Sequence, residues 1–185
     1  MSKLIMWNLM TLDGMFEGPQ PWDLSFHEYA WSDGLERYSM EQEREVAGLI
    51  FGRRTYEGMA GHWSSAKGET ADFMNAVPKY VFSRTLDRVD WSNSTLMKED
   101  VGDGVARLKE GPGKDLFVFG SADLSVTLMR QGLIDEFRIG LVPVTLGKGN
   151  PLFKPDSGPL KLKLLESRPI GDRCHLLRYQ PGSAA

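Results

Sequence analysis

Three short stretches bring together residue types that suit an anion. Leu49-Ile50-Phe51 ends at Gly52-Arg53-Arg54-Thr55-Tyr56, Tyr80-Val81-Phe82 ends at Ser83-Arg84-Thr85, and Leu116-Phe117-Val118-Phe119 ends at Gly120-Ser121. Each reads as a buried strand that stops at a turn, followed in the first and third cases by a helix. A helix start offers unpaired backbone N–H groups and a partial positive charge. Gly52 leaves room for a ligand to come against the backbone. Arg53 and Arg54 add guanidinium groups whose donor geometry fits phosphate. Ser83-Arg84 sets a hydroxyl beside a guanidinium, a pair suited to a terminal monophosphate. Singly, each stretch reads equally well as a turn with solvated side chains, because short Gly/Arg motifs are weak signals. In an open parallel sheet, however, all three lie on one edge, the edge where ligands bind. Together they would grip a long ligand with several anionic groups, such as a dinucleotide.

For acid–base chemistry the segment 13–25 offers Asp13, Glu17 and Asp23. It follows the first strand, Leu4-Ile5-Met6-Trp7, so Asp13 is expected on the same edge, although Asp13-Gly14 also reads as a plain turn. The segment is rich in Gly, Pro and Trp (Gly14, Gly18, Pro19, Pro21, Trp22) and is expected to be a lid or binding loop. No G-x-G-x-x-G, G-x-x-x-x-G-K-[ST] or G-x-S-x-G pattern occurs. With His27, His62, His175 and the single Cys174, no metal site is expected and no internal disulfide can form. His27 reads as a neighbour of the lid, His62 as a helix-end residue and Cys174 as packing. A net charge of −3 without a basic run argues against nucleic-acid binding. No stretch has the length of a membrane span and no signal peptide is visible, so a cytoplasmic protein is expected.

The periodicity predicts strands near 4–7, 48–52, 80–82, 95–97, 116–119, 135–142, 160–164 and 173–179. Helices are predicted over 33–46, from 53 to about 59 where Gly58 and Gly61 intervene, and over 69–76. Two more cover 100–110 and the stretch after Ser121, with Ser121 as N-cap and Gly132 as stop. Strands and helices alternate through the first two thirds, and strands follow one another in the last third. That is an α/β fold whose parallel sheet is finished by antiparallel strands. One domain is expected over 1–180, with a loose tail at 181–185.

The constellation resembles the dihydrofolate reductase-like superfamily, specifically the reductase (RibD C-terminal) domain of the bifunctional riboflavin-biosynthesis deaminase/reductase. The matching pieces are Thr11-Leu12-Asp13-Gly14, Gly52-Arg53-Arg54-Thr55-Tyr56, Val81-Phe82-Ser83-Arg84, Phe119-Gly120-Ser121-Ala122-Asp123-Leu124, Gly132-Leu133-Ile134-Asp135-Glu136 and Pro143-Val144-Thr145-Leu146-Gly147-Lys148-Gly149. They stand in family order over nearly the whole chain. The resemblance implies a three-layer α/β/α sandwich and NADPH as hydride donor. It places Gly52, Arg53 and Thr55 on the phosphate side of the cofactor, and Ser83 and Arg84 at the adenosine 2′-phosphate. Gly120, Ser121, Ala122, Asp123 and Leu124 would cover the pyrophosphate, while Asn8, Leu9 and Gly18 would line the nicotinamide end. Thr11, Asp13 and Trp22 would face the substrate.

Two departures stand out: Met15 replaces the lysine that usually follows Asp-Gly, and Ser121 replaces the second glycine of a pair. One cysteine cannot build the deaminase half, so a stand-alone reductase-like domain is implied. The resemblance also implies a homodimer formed through the C-terminal strands, with which the alternation at 135–142 is compatible. The expected activity is NADPH-dependent reduction of a small heterocyclic or ribosylamino-pyrimidine compound. The alternatives are a non-catalytic dinucleotide-binding dimer, or a dihydrofolate reductase using Glu28 or Asp33 to hold a pterin.

Overall fold

A computed structural model describes residues 1–111 and 113–182. Its elements in chain order are β1 (Leu4–Thr11), β2 (Met15–Glu17), α1 (Phe26–Ala30), α2 (Asp33–Glu43), β3 (Val46–Gly52), α3 (Arg53–Trp63), α4 (Glu69–Ala76), β4 (Lys79–Phe82) and β5 (Ser94–Met97). They continue with α5 (Val101–Lys109), β6 (Asp115–Phe119), α6 (Ala122–Arg130), β7 (Glu136–Val142), β8 (Asn150–Pro151), β9 (Leu162–Ile170) and β10 (Cys174–Pro181).

Eight strands form one sheet in the order β5-β4-β3-β6-β1-β7-β10-β9. The pairings from β5 through β7 are parallel, and β10 joins β7 and β9 antiparallel, the mixed sheet that the run of elements predicts. Strand alternation separates two cores. Leu4 and Met6 of β1 pack with Leu116 and Val118 of β6 under Val105 of α5 and Leu128 of α6. Ile5 and Phe117 point to the opposite face, with Tyr56 of α3 and Met74 of α4. On that same side Leu9 meets Phe26 of α1 and Leu35 and Tyr38 of α2. The result is a three-layer α/β/α sandwich.

Several elements differ from the expectation. The segment 13–25 contains β2, which pairs with β8 more than 130 residues later, and α1 follows it. Helix α3 runs through Gly58 and Gly61 to Trp63, since a glycine costs an otherwise supported helix only about 1 kcal/mol. Strand β7 lies between β1 and β10 and is buried, so it is not the outer edge of the sheet. That edge is β9, which leaves Leu164 and Leu165 exposed. Pro181 pairs with Leu162, and the Gly182 N–H donates to Lys161 O at 2.8 Å, so the expected loose tail is tied down that far. Residues 183–185 of that tail, and Pro112, lie outside the described residues. Cys174 is buried, and burial pushes its thiol up to about 11, in keeping with a packing residue.

One buried ion cluster fixes α2 on the sheet. Arg138, in the middle of β7, donates to Glu136 at 2.8 Å, to Glu45 just past α2 at 2.7 Å and to Gln42 of α2 at 3.2 Å. Arg178 of β10 closes the cluster against Glu136 at 2.7 Å and Glu166 of β9 at 2.9 Å. Burial works to raise the Glu136 carboxyl, but hydrogen bonds and charge from Arg138 and Arg178 outweigh it and hold it below the usual carboxylate range. Truncating one partner of such a pair leaves the other charge buried and unpaired. Arg138→Met is therefore expected to lower the unfolding free energy by about 3–5 kcal/mol in urea titrations. The double variant Glu136→Gln/Arg138→Met is expected to recover part of that loss, because no buried charge then lacks a partner.

Candidate active site

Strands β1, β3, β4 and β6 end on one edge, and hydrogen bonds between non-neighbouring segments stitch three of those ends together. The Gly120 N–H donates to Asn8 Oδ1 at 2.6 Å, joining the end of β6 to β1. The Ser121 N–H donates to Thr55 Oγ1 at 2.9 Å, joining α6 to α3. The Gly52 N–H donates to Ser121 Oγ at 3.1 Å, closing the circuit to β3. Gly120 and Ser121 both hold left-handed backbone, at φ 54° and 51°. Glycine suits the first position twice over, since a Cβ there would come within 3.3 Å of the Thr55 side chain. Ser121 adopts the same conformation at a cost of about 1–2 kcal/mol. The hydroxyl predicted to cap α6 does not do so; it accepts from Gly52 instead. Gly52 has ordinary extended backbone, and a Cβ there would stand 3.6 Å from Leu124 Cβ and 3.9 Å from Ser121 Oγ, ordinary contact distances.

Beside this stitch lies a cavity of about 520 Å³, within the range of small-molecule sites. Trp7, Asn8 and Leu9 of β1 line it, as do residues 52–55 and 119–124. Helices α3 and α6, whose starts border it, have no side-chain cap. The far wall comes from α2, the end of α3 and α4: Leu35, Ser39, Gln42, Glu43, Met59, Trp63, Thr70, Phe73 and Met74. Phe16, Glu17, Trp22, Leu24, His27 and Trp31 form the side that follows β1. This lid is held internally. Glu17 accepts from the Trp22 N–H at 2.5 Å and from Asn150 Nδ2 at 3.0 Å, and the Gly18 N–H donates to Asp23 O at 2.8 Å. The Trp22 indole lies flat on α3 at Gly58, where a Cβ would stand 2.5 Å from the ring.

Of the residues singled out in the sequence, Asn8, Leu9, Trp22, Gly52, Arg53, Thr55, Gly120, Ser121, Ala122, Asp123 and Leu124 meet at this cavity. Gly18 borders an adjoining recess that includes Arg53 and Arg54. Ser83 and Arg84 sit one strand over, past the Gly52–Phe82 pairing, and do not line the cavity. Ser83 Oγ accepts from the N–H groups of Thr85 and Leu86 at 3.2 and 3.1 Å, while Arg84 is exposed.

Thr11 and Asp13 do not reach the cavity either. Thr11 Oγ1 donates to Asp13 at 2.6 Å and accepts from the Met15 N–H at 2.9 Å. The Asp13 carboxylate accepts from the N–H groups of Leu146 and Gly147 at 3.1 and 2.7 Å. These bonds, that from Thr11 foremost, hold its carboxyl below the usual range. Here Asp13 acts as a brace between two loops. Asp123 forms an ion pair with Lys154. Neither Glu28 nor Asp33 lines the cavity; the α1 residue that does is His27.

Two polar atoms at the cavity are buried without a partner among the described residues: Asn8 Nδ2 and His27 Nε2. Burial pushes His27 down to about 4, so its imidazole is neutral near pH 7. Glu43 of α2 also lines the cavity, and burial and then Glu69 push its carboxyl up. One signal was available for this wall. Leu35, Ser39, Gln42 and Val46 recur at helical spacing, an apolar stripe interrupted by polar residues. His27, which reads from the sequence as a neighbour of the lid, stands beside it here, whereas nothing in the local sequence marks Glu43.

Comparison with known proteins agrees with the fold. Residues 2–176 match the RibD C-terminal domain. Two relatives are each 30% identical: the uncharacterized protein YyaP of Bacillus subtilis, over 90% of this chain and 88% of its own, and YwjB of the same organism, over 94% and 95%. The chain belongs to the RibD C-terminal domain family. A crystal structure from Shewanella sp. PV-4, whose name places it provisionally in riboflavin biosynthesis, superposes with a TM-score of 0.82 at 21% identity over 98% of this chain and 99% of its own. The Thermotoga maritima diaminohydroxyphosphoribosylaminopyrimidine deaminase/5-amino-6-(5-phosphoribosylamino)uracil reductase gives 0.69 at 15% identity, over 98% of this chain and 57% of that one. Dihydrofolate reductase from Enterococcus faecalis, complexed with NADP(H), gives 0.63 at 14%, over 98% and 97%. At these identities the superpositions speak for the fold alone.

Within this family fold, the two cavity-lining features most open to test are the Trp22 latch and His27. Gly58→Ala is expected to push Trp22 off α3 while α3 stays helical, read as a red shift and easier quenching of tryptophan emission at unchanged far-UV circular dichroism. His27 has a folded-state pKa below that of the unfolded chain, so the unfolded state binds the proton first. Its contribution to stability is complete above about pH 6.5, falls as pH drops toward 4, and is level below that. Between pH 7 and pH 5 the protein is expected to lose about 2 kcal/mol through this group. His27→Leu is expected to flatten that part of the stability–pH curve in urea titrations.

Proposed function

We propose that this protein is an oxidoreductase that uses NADPH to reduce a C=N or C=O bond in a small heterocyclic substrate. The observation that carries the reading is the stitched edge itself. Three strand ends and two uncapped helix starts converge on one cavity, with exposed Arg53 at its rim and, on the cavity-lining Asn8, a buried amide N–H group without a partner among the described residues. Those groups suit a ligand with phosphates at one end and a carboxamide at the other. The family match and the fold shared with an NADP(H)-complexed reductase support the same reading.

In this reading Gly52, Arg53 and Thr55, with the backbone of Gly120, Ser121, Ala122, Asp123 and Leu124, hold the pyrophosphate region. Asn8 and Leu9 orient the nicotinamide end, with Gly18 beside it. Ser83 and Arg84, farther along the same edge, hold the 2′-phosphate. NADPH, when bound, supplies the hydride. The protein's share is orientation and the exclusion of water, for which Trp22 and the lid are placed. We further propose that the protein works in the cytoplasm as a homodimer, for which the exposed leucines of β9 give an apolar edge. Among the described residues no helix is long and apolar enough to cross a membrane.

Four of the five tryptophans line the cavity, so titration with NADPH and NADH can be followed by fluorescence. NADPH is expected to quench the emission saturably and more tightly than NADH. Arg84→Ala is expected to remove most of that preference, by about tenfold, as befits one lost charge-assisted contact. Absence of NADPH binding would sink the cofactor assignment. An unchanged NADPH/NADH ratio in Arg84→Ala would sink the role given to Arg84.

A further inference from the structure

The two ends of the cavity differ in charge. At the cofactor end stand Arg53 and Arg54, in the first turn of α3. The opposite end is reached at Trp63, the last residue of the same helix. At 1.5 Å per residue that is roughly 15 Å away, beyond a Debye length at physiological salt. There the flat side chains of Trp63 and Phe73 line the space, and no lysine or arginine lines it among the described residues. The titratable groups facing the cavity beyond the first turn of α3 are His27, Glu17, Glu43 and, at the α6 end, Asp123.

Most of these are already engaged or uncharged. Glu17 is occupied by the Trp22 N–H and Asn150, and Asp123 by Lys154. His27 is neutral near pH 7. Glu43 is left. Its carboxylate takes part in none of the hydrogen bonds or ion pairs found among the described residues, and it stands near a second carboxylate, Glu69. Gln42 beside it is held by Arg138, so the end of α2 is rigid. A phosphate placed against this wall would lose its water, find no cation and face Glu43, a costly arrangement. A planar ring with a protonated nitrogen or an exocyclic amine would stack on the aromatic walls and give Glu43 a partner.

Resting on the cofactor reading above, we propose that the substrate half of this cavity takes a flat, unphosphorylated aromatic heterocycle, neutral or cationic, with Glu43 accepting a hydrogen bond from its ring N–H or amino group. Phosphorylated substrates are selected against by the same wall.

The test uses three probes of similar ring size on NADPH-saturated protein, followed by calorimetry: 4-aminoquinoline as the cation, 1-naphthol as the neutral ring and 1-naphthyl phosphate as the anion. The cation is expected to bind at least tenfold more tightly than the phosphate ester, with the neutral ring between them. Glu43→Gln is expected to remove most of the preference for the cation while leaving NADPH binding unchanged, which also shows that the variant is folded. Equal or tighter binding of 1-naphthyl phosphate overturns the proposal. So does a cation preference that survives in Glu43→Gln, or binding of none of the three. NADPH titration of the same sample keeps the two readings apart. Normal NADPH binding with the wrong probe order overturns this inference alone, and the expected probe order without NADPH binding overturns the cofactor assignment alone.

Discussion

The site depends on three hydrogen bonds that tie strand ends to one another across the sheet edge. Gly120 N–H to Asn8, Ser121 N–H to Thr55 and Gly52 N–H to Ser121 form a closed circuit through β1, α3, β3 and the start of α6. Each bond satisfies a backbone N–H at a place where the sheet ladder has stopped and no helix bond has begun. Each also uses a side chain that could have served its own segment. Thr55 lies in the first turn of α3 and Ser121 stands at the N-cap position of α6, yet both hydroxyls reach across to another element. That leaves α6 without a side-chain cap, and α3, whose N-cap position is Gly52, has none either, so both starts stay available to an anion. The left-handed pair Gly120-Ser121 follows from the same circuit, because it turns the Ser121 N–H toward Thr55. Asn8 contributes only its carbonyl oxygen, so its buried amide N–H group is left without a partner among the described residues.

The rest of the molecule holds this edge still. Alternation along β1 sends Ile5 into one core and Leu4 and Met6 into the other, so the strand carrying Asn8 is clamped from both faces. On the far side, α2 is fixed by Arg138 through Gln42 and Glu45, a charged contact buried in the sheet layer. Burial of such a cluster is weak as a source of net stability but strong as a constraint on position. The same guanidinium orders Gln42, a cavity wall residue, and Glu136, a strand residue. The sheet and this wall of the cavity are therefore one mechanical unit. The lid is the exception: it is held by Glu17, by the short β2–β8 pair and by an indole lying on a glycine, contacts that can open without disturbing either core.

Much of this could be read in the sequence wherever the cause is local. Strand β6 is visible as an apolar run, α5 as Val101, Val105 and Leu108 at helical spacing, and α4 as a segment between Gly68 and Pro78. The grouping of Gly52, Gly120 and Ser121 followed from parallel topology alone. What could not be read has causes elsewhere in the chain. Ser121 looks like a cap because Ser is a good cap; only a neighbour from another strand redirects its hydroxyl. Asp13 looks like a ligand-facing acid because it follows β1, but the loop at 146–147 arrives with two N–H groups and takes the carboxylate. Strand β2 is too short to show a period and exists because β8 pairs with it. Glu43 lies among the charged residues Glu36, Arg37, Glu41 and Arg44, and its place at the cavity comes from how α2 docks.

The division of charge in the cavity bears on how one fold serves different substrates. The proposed cofactor end is built from backbone: helix starts, strand ends and the N–H groups of a left-handed turn, with arginines added at the rim. Such a site depends on the topology of the sheet and tolerates side-chain change, which is why short Gly, Ser and Arg motifs suffice to mark it. The proposed substrate end is built from side chains on α2, α3 and α4, which can be exchanged without altering the sheet. Here those side chains are tryptophan, phenylalanine, methionine and one glutamate without a partner. A wall of that kind discriminates by shape and by the sign of charge, since an aromatic face accepts any ring while a partly desolvated carboxylate strongly prefers a donor to an anion. The same α/β/α frame can thus keep one cofactor grip while the charge of the opposite wall decides which rings enter.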